Sequence, residues 1–333
     1  MEIDKTVLGG CRQAVKVCLA VKSGDSVVVV FDTSCGKYAQ GMEYILNEIG
    51  CDYIMFNMDD FGERPLRSFP CEIARAMNDV SVSIYIAASH PGEIEDFRRP
   101  MVQFVDGKKI RHAHMIGVTD EIMLQGMSAD YFAIRDFAAK LYEILAKAET
   151  IAVKAPAGTS IVAEFSPDIR WVNMDGFITR DSWNNLPEGE IFTCVENISG
   201  KYVVDGVLGD YFSKKYGLLD DTPVQFDITD GWIAAIECEN KELERELLAY
   251  TRLDENASRI GEFALGTNLG LDRMIGNLLQ DEKVPGVHIA IGHGYPTRTG
   301  SGWNSKAHLD MVIRKPTVVV DGRTIMADGK YDL

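Results

Sequence analysis

The chain has 333 residues, of which 46% are hydrophobic and 25% charged, ordinary globular proportions with length enough for two domains. Its formal net charge of −16 argues against nucleic acid or an anionic membrane as the main partner, because both reward basic surface. Seven scattered cysteines without a CxxC pair point to neither a disulfide framework nor a cysteine-rich zinc site, and they fit a reducing cytoplasm.

In chain order, residues 4–22 read as an amphipathic helix, and "SVVVVFD" (26–32) as a buried strand. A helix over 36–48 stops at Gly50, "DYIMFNM" (52–58) is a second strand, and 71–78 is a short helix. "VSVSIYIAAS" (80–89) and "HMIGVT" (114–119) are further strands. Residues 129–147 form the clearest helix, with Tyr131, Ile134, Phe137, Leu141 and Ile144 along one stripe. Alternating strands and helices predict an N-terminal α/β domain with a parallel sheet, over 1–148. From 149 the pattern shifts to strands and turns, including "EIFTCVEN", "KYVVDGVL", "PVQFDITDGWIAAIE", "GVHIAIG", "AHLDMVI" and "PTVVVDG". With helices at 240–252 and 270–280, residues 149–333 read as an α+β domain. The chain opens "MEIDKTVLGG", without a basic region ahead of an apolar run, and no apolar stretch approaches the roughly 20 residues of a membrane span.

Three of the six histidines fall between 288 and 308. If 307–313 is a strand, His308 and Asp310 share a face, where they can reach one metal ion or form a structural hydrogen-bonded pair. His288 shares a face with Ala290 and Gly292, which leave room beside it. Glu262, between Gly261 and an apolar run, is an acid in an unusual place unless exposed or partnered, and Glu190 follows a Pro-Glu-Gly turn at the entry to a strand; either one alone reads better as a solvated turn acid. Such a His/Asp/Glu set suits zinc, manganese, cobalt or iron(II).

These residues carry a resemblance. "NLPEGEIFT", "IGEFALGTN", "HIAIG", a tyrosine seven residues beyond that histidine, and "NSKAHLD" occur in this order. Over most of 150–325 the chain resembles the aminopeptidase T / aminopeptidase S family of metallopeptidases. The resemblance implies two divalent ions (Zn, Co, Mn or Mg), with Glu190, Glu262, His288, His308 and Asp310 matching ligands and Tyr295 the catalytic tyrosine. The family also has a glutamate five residues before the first histidine; Lys283 stands at that spacing, and Glu282 one residue further away. A one-residue insertion in "DEKVPGVH" would restore Glu282 as the sixth ligand. The resemblance further implies a cytoplasmic homodimer that takes short peptides.

Two ions can hold a hydroxide at neutral pH and polarise a peptide carbonyl. A carboxylate such as Glu262 would then shuttle the proton, and Tyr295 would donate a hydrogen bond to the oxyanion. The expected activity is removal of N-terminal residues from short peptides. Two alternatives stay open. The 2,5-dihydroxypyridine dioxygenases resemble the same family and use one iron(II), for which His308 and Asp310 match equally well. They have a histidine near the Glu262 position and a serine near His288, which favours the peptidase here. The other alternative is a non-catalytic protein that binds a metal or small molecule. His112 and His114, an i, i+2 pair, fit structural or pocket roles better than a metal site, and His90, after a strand at the edge where α/β sheets bind ligands, reads as a loop histidine ahead of a substrate-lining one. "GHGYPTRTGSG" lacks the order of a phosphate-binding loop.

Overall fold

A computed structural model describes residues 4–181 and 183–333. The chain divides into two compact units, Met1–Tyr131 with Gly176–Glu188, and Phe132–Asp175 with Gly189–Leu333. Among the described residues no helix is long and apolar enough to cross a membrane.

The first unit is built on a five-stranded sheet, ordered Asp52–Asn57, Ser26–Phe31, Val82–Ala87, Arg111–Ile116 and Asn184–Asn185. Every pairing is parallel. The runs Val27–Val30 and Val82–Ala87 are buried throughout, as expected of strands covered on both faces. The helix expected over 4–22 is a short α-helix, Leu8–Arg12, followed by a wider π-helical stretch, Gln13–Cys18, and Ala20 in the left-handed region (φ 48°) ends it. The helix Arg99–Lys108 was not anticipated from the sequence.

The helix Tyr131–Leu145, which belongs to the second unit from Phe132 onward, places Ala138, Leu141 and Leu145 in that unit's core, with Phe137 and Ile144 only partly buried. The buried set 131, 134, 138, 141, 145 follows the 3.6-residue period more closely than the stripe read from the sequence. Two antiparallel sheets share that core. One has eight strands, among them Thr150–Lys154, Ser160–Glu164 and Asn197–Val204. The other has five, ordered His308–Val312, Gly286–Gly292, Ile260–Gly266, Glu190–Thr193 and Val172–Met174. The helix expected at 270–280 shrinks to Leu278–Asp281. Gly276 is left-handed (φ 79°), and the Asp281 carboxylate accepts the backbone N–H groups of Ile275, Gly276 and Asn277, which fixes a turn where a helix was expected.

Alternation divides the five-stranded sheet into two chemistries. Ile191, Phe263, Leu265, Ile289, Leu309 and Met311 face the shared core. Glu190, Glu262, His288, His308 and Asp310 therefore face the other way. The pattern needs one interruption, because Ile260 and Phe263 both lie in the core although three positions apart. A β-bulge between Ile260 and Glu262 supplies it. Gly261 sits in the bulge, where a Cβ would lie 2.6 Å from the carbonyl oxygens of both Gly292 and His293.

Phe263 is fully buried and meets Phe165 edge-on, with ring centroids 5.4 Å apart. Phe263→Ala is expected to cost about 3–5 kcal/mol in denaturant unfolding; a loss under about 1 kcal/mol would show that this face is not the one packed.

Candidate metal centre

Strand register sets the positions of the donors. Glu262 lies opposite Ala290, and Ala290 opposite Asp310, so two carboxylates flank a methyl group. In adjacent registers His288 lies opposite Ala264, His308 opposite Gly292, and Glu190 opposite Gly266. Small residues on this face leave the larger polar side chains space to converge. Glu282 arrives from outside the sheet, directly after the short helix Leu278–Asp281.

Three overlapping groups have donor atoms within 4.8 Å of one another: Glu190, Glu262 and His288; Glu262, His308 and Asp310; and Glu282, His288 and Asp310. The structure thus brings together all six residues singled out as ligands, Glu282 included, in the second unit. His308 Nε2 lies 3.2 Å from Asp310 and 3.6 Å from Glu262, and His288 Nε2 lies 3.4 Å from Glu190 and 3.8 Å from Glu262. Lys283 is buried and its Nζ lies 2.7 Å from Glu190 and 2.9 Å from Glu282.

The donor set fits divalent cations. Four carboxylates and two imidazoles crowd one buried space, an arrangement that burial makes costly without cations to share it. The chain without metal holds protons there instead. Burial pushes the Glu282 carboxyl up to about 8, against the pull of Lys283, and it raises Glu262 as well. Burial alone would lower both histidines. The hydrogen bond and charge of Glu262, with the charge of Glu190, hold His288 at about 9, while Asp310 holds His308 at about 10. Asp310 goes the other way: burial would raise it, but His308 brings it down to about 2.

Tyr295 reaches the same face from the loop after the His288 strand. Its hydroxyl lies 3.2 Å from His308 Nε2, and its ring packs on Phe192 and Ala264 on the site side of the sheet. Burial, reinforced by the charges of Glu262 and Asp310, pushes the phenol well above its ordinary value, so it keeps its proton and can donate. Its backbone is left-handed (φ 50°, ψ 54°), a conformation that costs a non-glycine residue roughly 1–2 kcal/mol. The turn is fixed by His293 Nδ1, which accepts from the Tyr295 amide, and by Thr299 Oγ1, which donates to the Tyr295 carbonyl. Backbone strain of this kind concentrates at functional sites.

Sequence reasoning missed Tyr250. Its hydroxyl accepts from the His308 amide (3.0 Å) and donates to the His308 carbonyl (2.9 Å), pinning the first residue of that strand. It is the last residue of the helix Lys241–Tyr250, and nothing in its local pattern signals a partner 58 positions away. His112 and His114 lie in the first unit and join none of the three donor groups. They form a buried chain, with Ser83 Oγ 2.8 Å from His112, His112 3.2 Å from His114, and Arg98 donating to His114. Burial lowers His112 to about 3 and lowers His114 too, which keeps both neutral. His90 is half-buried beyond the end of the strand Val82–Ala87.

Residues 128–332 match the model of a family described as thermophilic metalloprotease (M29). Among solved structures, the wild-type AmpT from Thermus thermophilus is similar over 100% of both chains at 16% identity, with a TM-score of 0.71. The 2,5-dihydroxypyridine dioxygenase from Pseudomonas putida KT2440 is similar over 98% of this chain and 96% of its own, at 15% identity and a TM-score of 0.68. At such identities both likenesses speak to the fold alone. No curated protein matches the chain. The family match covers more than half of the sequence and runs from before Glu190 to beyond Asp310, so the protein belongs to the thermophilic metalloprotease (M29) family.

Proposed function

We propose that the protein is a metal-dependent aminopeptidase that removes N-terminal residues from short peptides. The observation that carries this reading is the overlap of the donor groups Glu190–Glu262–His288 and Glu262–His308–Asp310 on one sheet face, beside a protonated tyrosine. The ligands would be Glu190, Glu262, Glu282, His288, His308 and Asp310. Divalent ions bound there would supply Lewis acidity toward a peptide carbonyl, a more acidic water, and an anchor for a free α-amine.

The side chains account for the remaining chemistry. Glu262 is common to two donor groups and is buried with its carboxyl raised. In this reading it takes a proton from the attacking water and passes it to the leaving amine. Tyr295 donates a hydrogen bond to the oxygen that gains charge, and its turn holds the hydroxyl in place before substrate arrives. The aminopeptidase reading extends to a cytoplasmic homodimer, with short peptides as the substrate class and no role in binding nucleic acid or membranes.

Retention of Glu262 and His288 in the donor groups favours peptide hydrolysis over iron-dependent ring opening. Glu262→Gln and His308→Ala are each expected to lower hydrolysis of leucine amide by at least about 100-fold, and His308→Ala to lose bound metal by elemental analysis. Wild-type activity and metal content in both variants would overturn the assignment. Iron-dependent oxygen uptake by the wild type, with no amide hydrolysis, would favour the ring-opening alternative. Tyr295→Phe should lower kcat by about 10- to 1000-fold while metal content stays unchanged.

Proton competition gives a second check. Glu282, His288 and His308 hold protons up to about 8, 9 and 10 in the metal-free protein. A cation must displace them, so metal uptake releases protons and apparent affinity rises as pH rises toward that range. Calorimetric titration at pH 6 and pH 8 should show tighter binding at pH 8 by at least about tenfold. Equal affinity at the two values would mean that these groups are not the ligands.

A further inference from the structure

Lys283 has no place in the chemistry above, yet its side chain is among the most deeply buried polar groups of the unit. It lies inside the donor cluster. Its Nζ is 2.7 Å from one oxygen of Glu190, and the other oxygen of Glu190 is 3.4 Å from His288. The same ammonium is 2.9 Å from Glu282. Glu190 and Glu282 belong to the two donor groups that contain His288. The third group, Glu262, His308 and Asp310, is drawn together by His308 itself, 3.2 Å from one carboxylate and 3.6 Å from the other.

A buried ammonium neutralises the carboxylates that it contacts. It also repels a second cation sharing them, and the repulsion is strong where water is excluded. A divalent ion drawing on His288 with Glu190 or Glu282 would therefore compete with Lys283 for the same oxygens. An ion at Glu262, His308 and Asp310 would draw on carboxylates other than these two.

From this geometry we infer that Lys283 makes the centre unequal: one divalent ion binds tightly at Glu262, His308 and Asp310, and the Lys283 ammonium stands in for much of the charge of a second ion at His288. The inference rests on the metalloenzyme reading and specifies how the centre is loaded. The chain would work with one firmly held ion and one weak, exchangeable ion.

The test is calorimetric titration of chelator-treated full-length protein with Zn2+, and separately with Co2+, whose visible absorption reports each coordination environment. The wild type is expected to bind one ion tightly and a second at least about 100-fold more weakly. Lys283→Met removes the charge with similar bulk and should bring the second affinity within about tenfold of the first, while Lys283→Arg should keep the inequality. Glu190→Gln should leave the tight ion in place, whereas Asp310→Asn should abolish it. That pair tests the assignment even if Lys283→Met fails to fold, as read by circular dichroism. Two wild-type ions of equal affinity, or a tight ion lost in Glu190→Gln, would overturn the inference and leave the aminopeptidase reading standing. No zinc or cobalt bound by the wild type would overturn both.

Discussion

The site depends on the two-residue period of a β-strand. Along Ile260–Gly266, Gly286–Gly292 and His308–Val312, one set of alternate side chains is aliphatic or aromatic and the other set carries donors. Burial of Phe263, Ile289 and Met311 on one face fixes the register. With the register fixed, Glu262, His288, His308 and Asp310 have only the other face to occupy. A slip of one residue would put carboxylates into the core and phenylalanine among the donors. The hydrophobic core is therefore the device that aims the polar cluster, and the bulge at Gly261 is the one correction that alternation needs to set Glu262 on the donor side.

Electrostatics then makes that cluster a candidate cation site. Carboxylates packed this closely in a buried space lower their own energy by taking up protons, by pairing with ammonium or imidazolium groups, or by binding metal. The first two responses are visible in the chain: Glu282 and Glu262 are held toward the protonated form, His288 and His308 toward the cationic form, and Lys283 bridges two of the acids. The same tension that favours cations also keeps the Tyr295 phenol protonated, because nearby negative charge opposes phenolate. A hydrogen-bond donor and a candidate cation site thus have one physical origin.

Much of this was legible in the sequence, and the reasons for the remainder are specific. The parallel strands of the first unit showed as β-branched runs between helix signals, and the donor face showed as His-x-Asp and His-x-Ala-x-Gly at strand spacing. The family motifs spanned the donor residues for the same reason: register ties short segments together at fixed spacing. Glu282 was ambiguous because linear spacing pointed at Lys283; the end of the short helix Leu278–Asp281 is what turns Glu282 toward His288 and Asp310. The helix expected at 270–280 failed because local periodicity cannot reveal that Asp281 folds back to cap three amides. Tyr250 was invisible because its hydrogen bonds join the end of a helix to a strand far along the chain.

The most direct test of the account compares a free short peptide with its N-acetylated twin, using protein whose metal content is measured in the same preparation and following products by mass spectrometry. The account predicts loss of single N-terminal residues from the free peptide, none from the acetylated one, and loss of that activity when metal is stripped. Cleavage of both peptides at internal bonds, or unchanged cleavage after metal is removed, would contradict it.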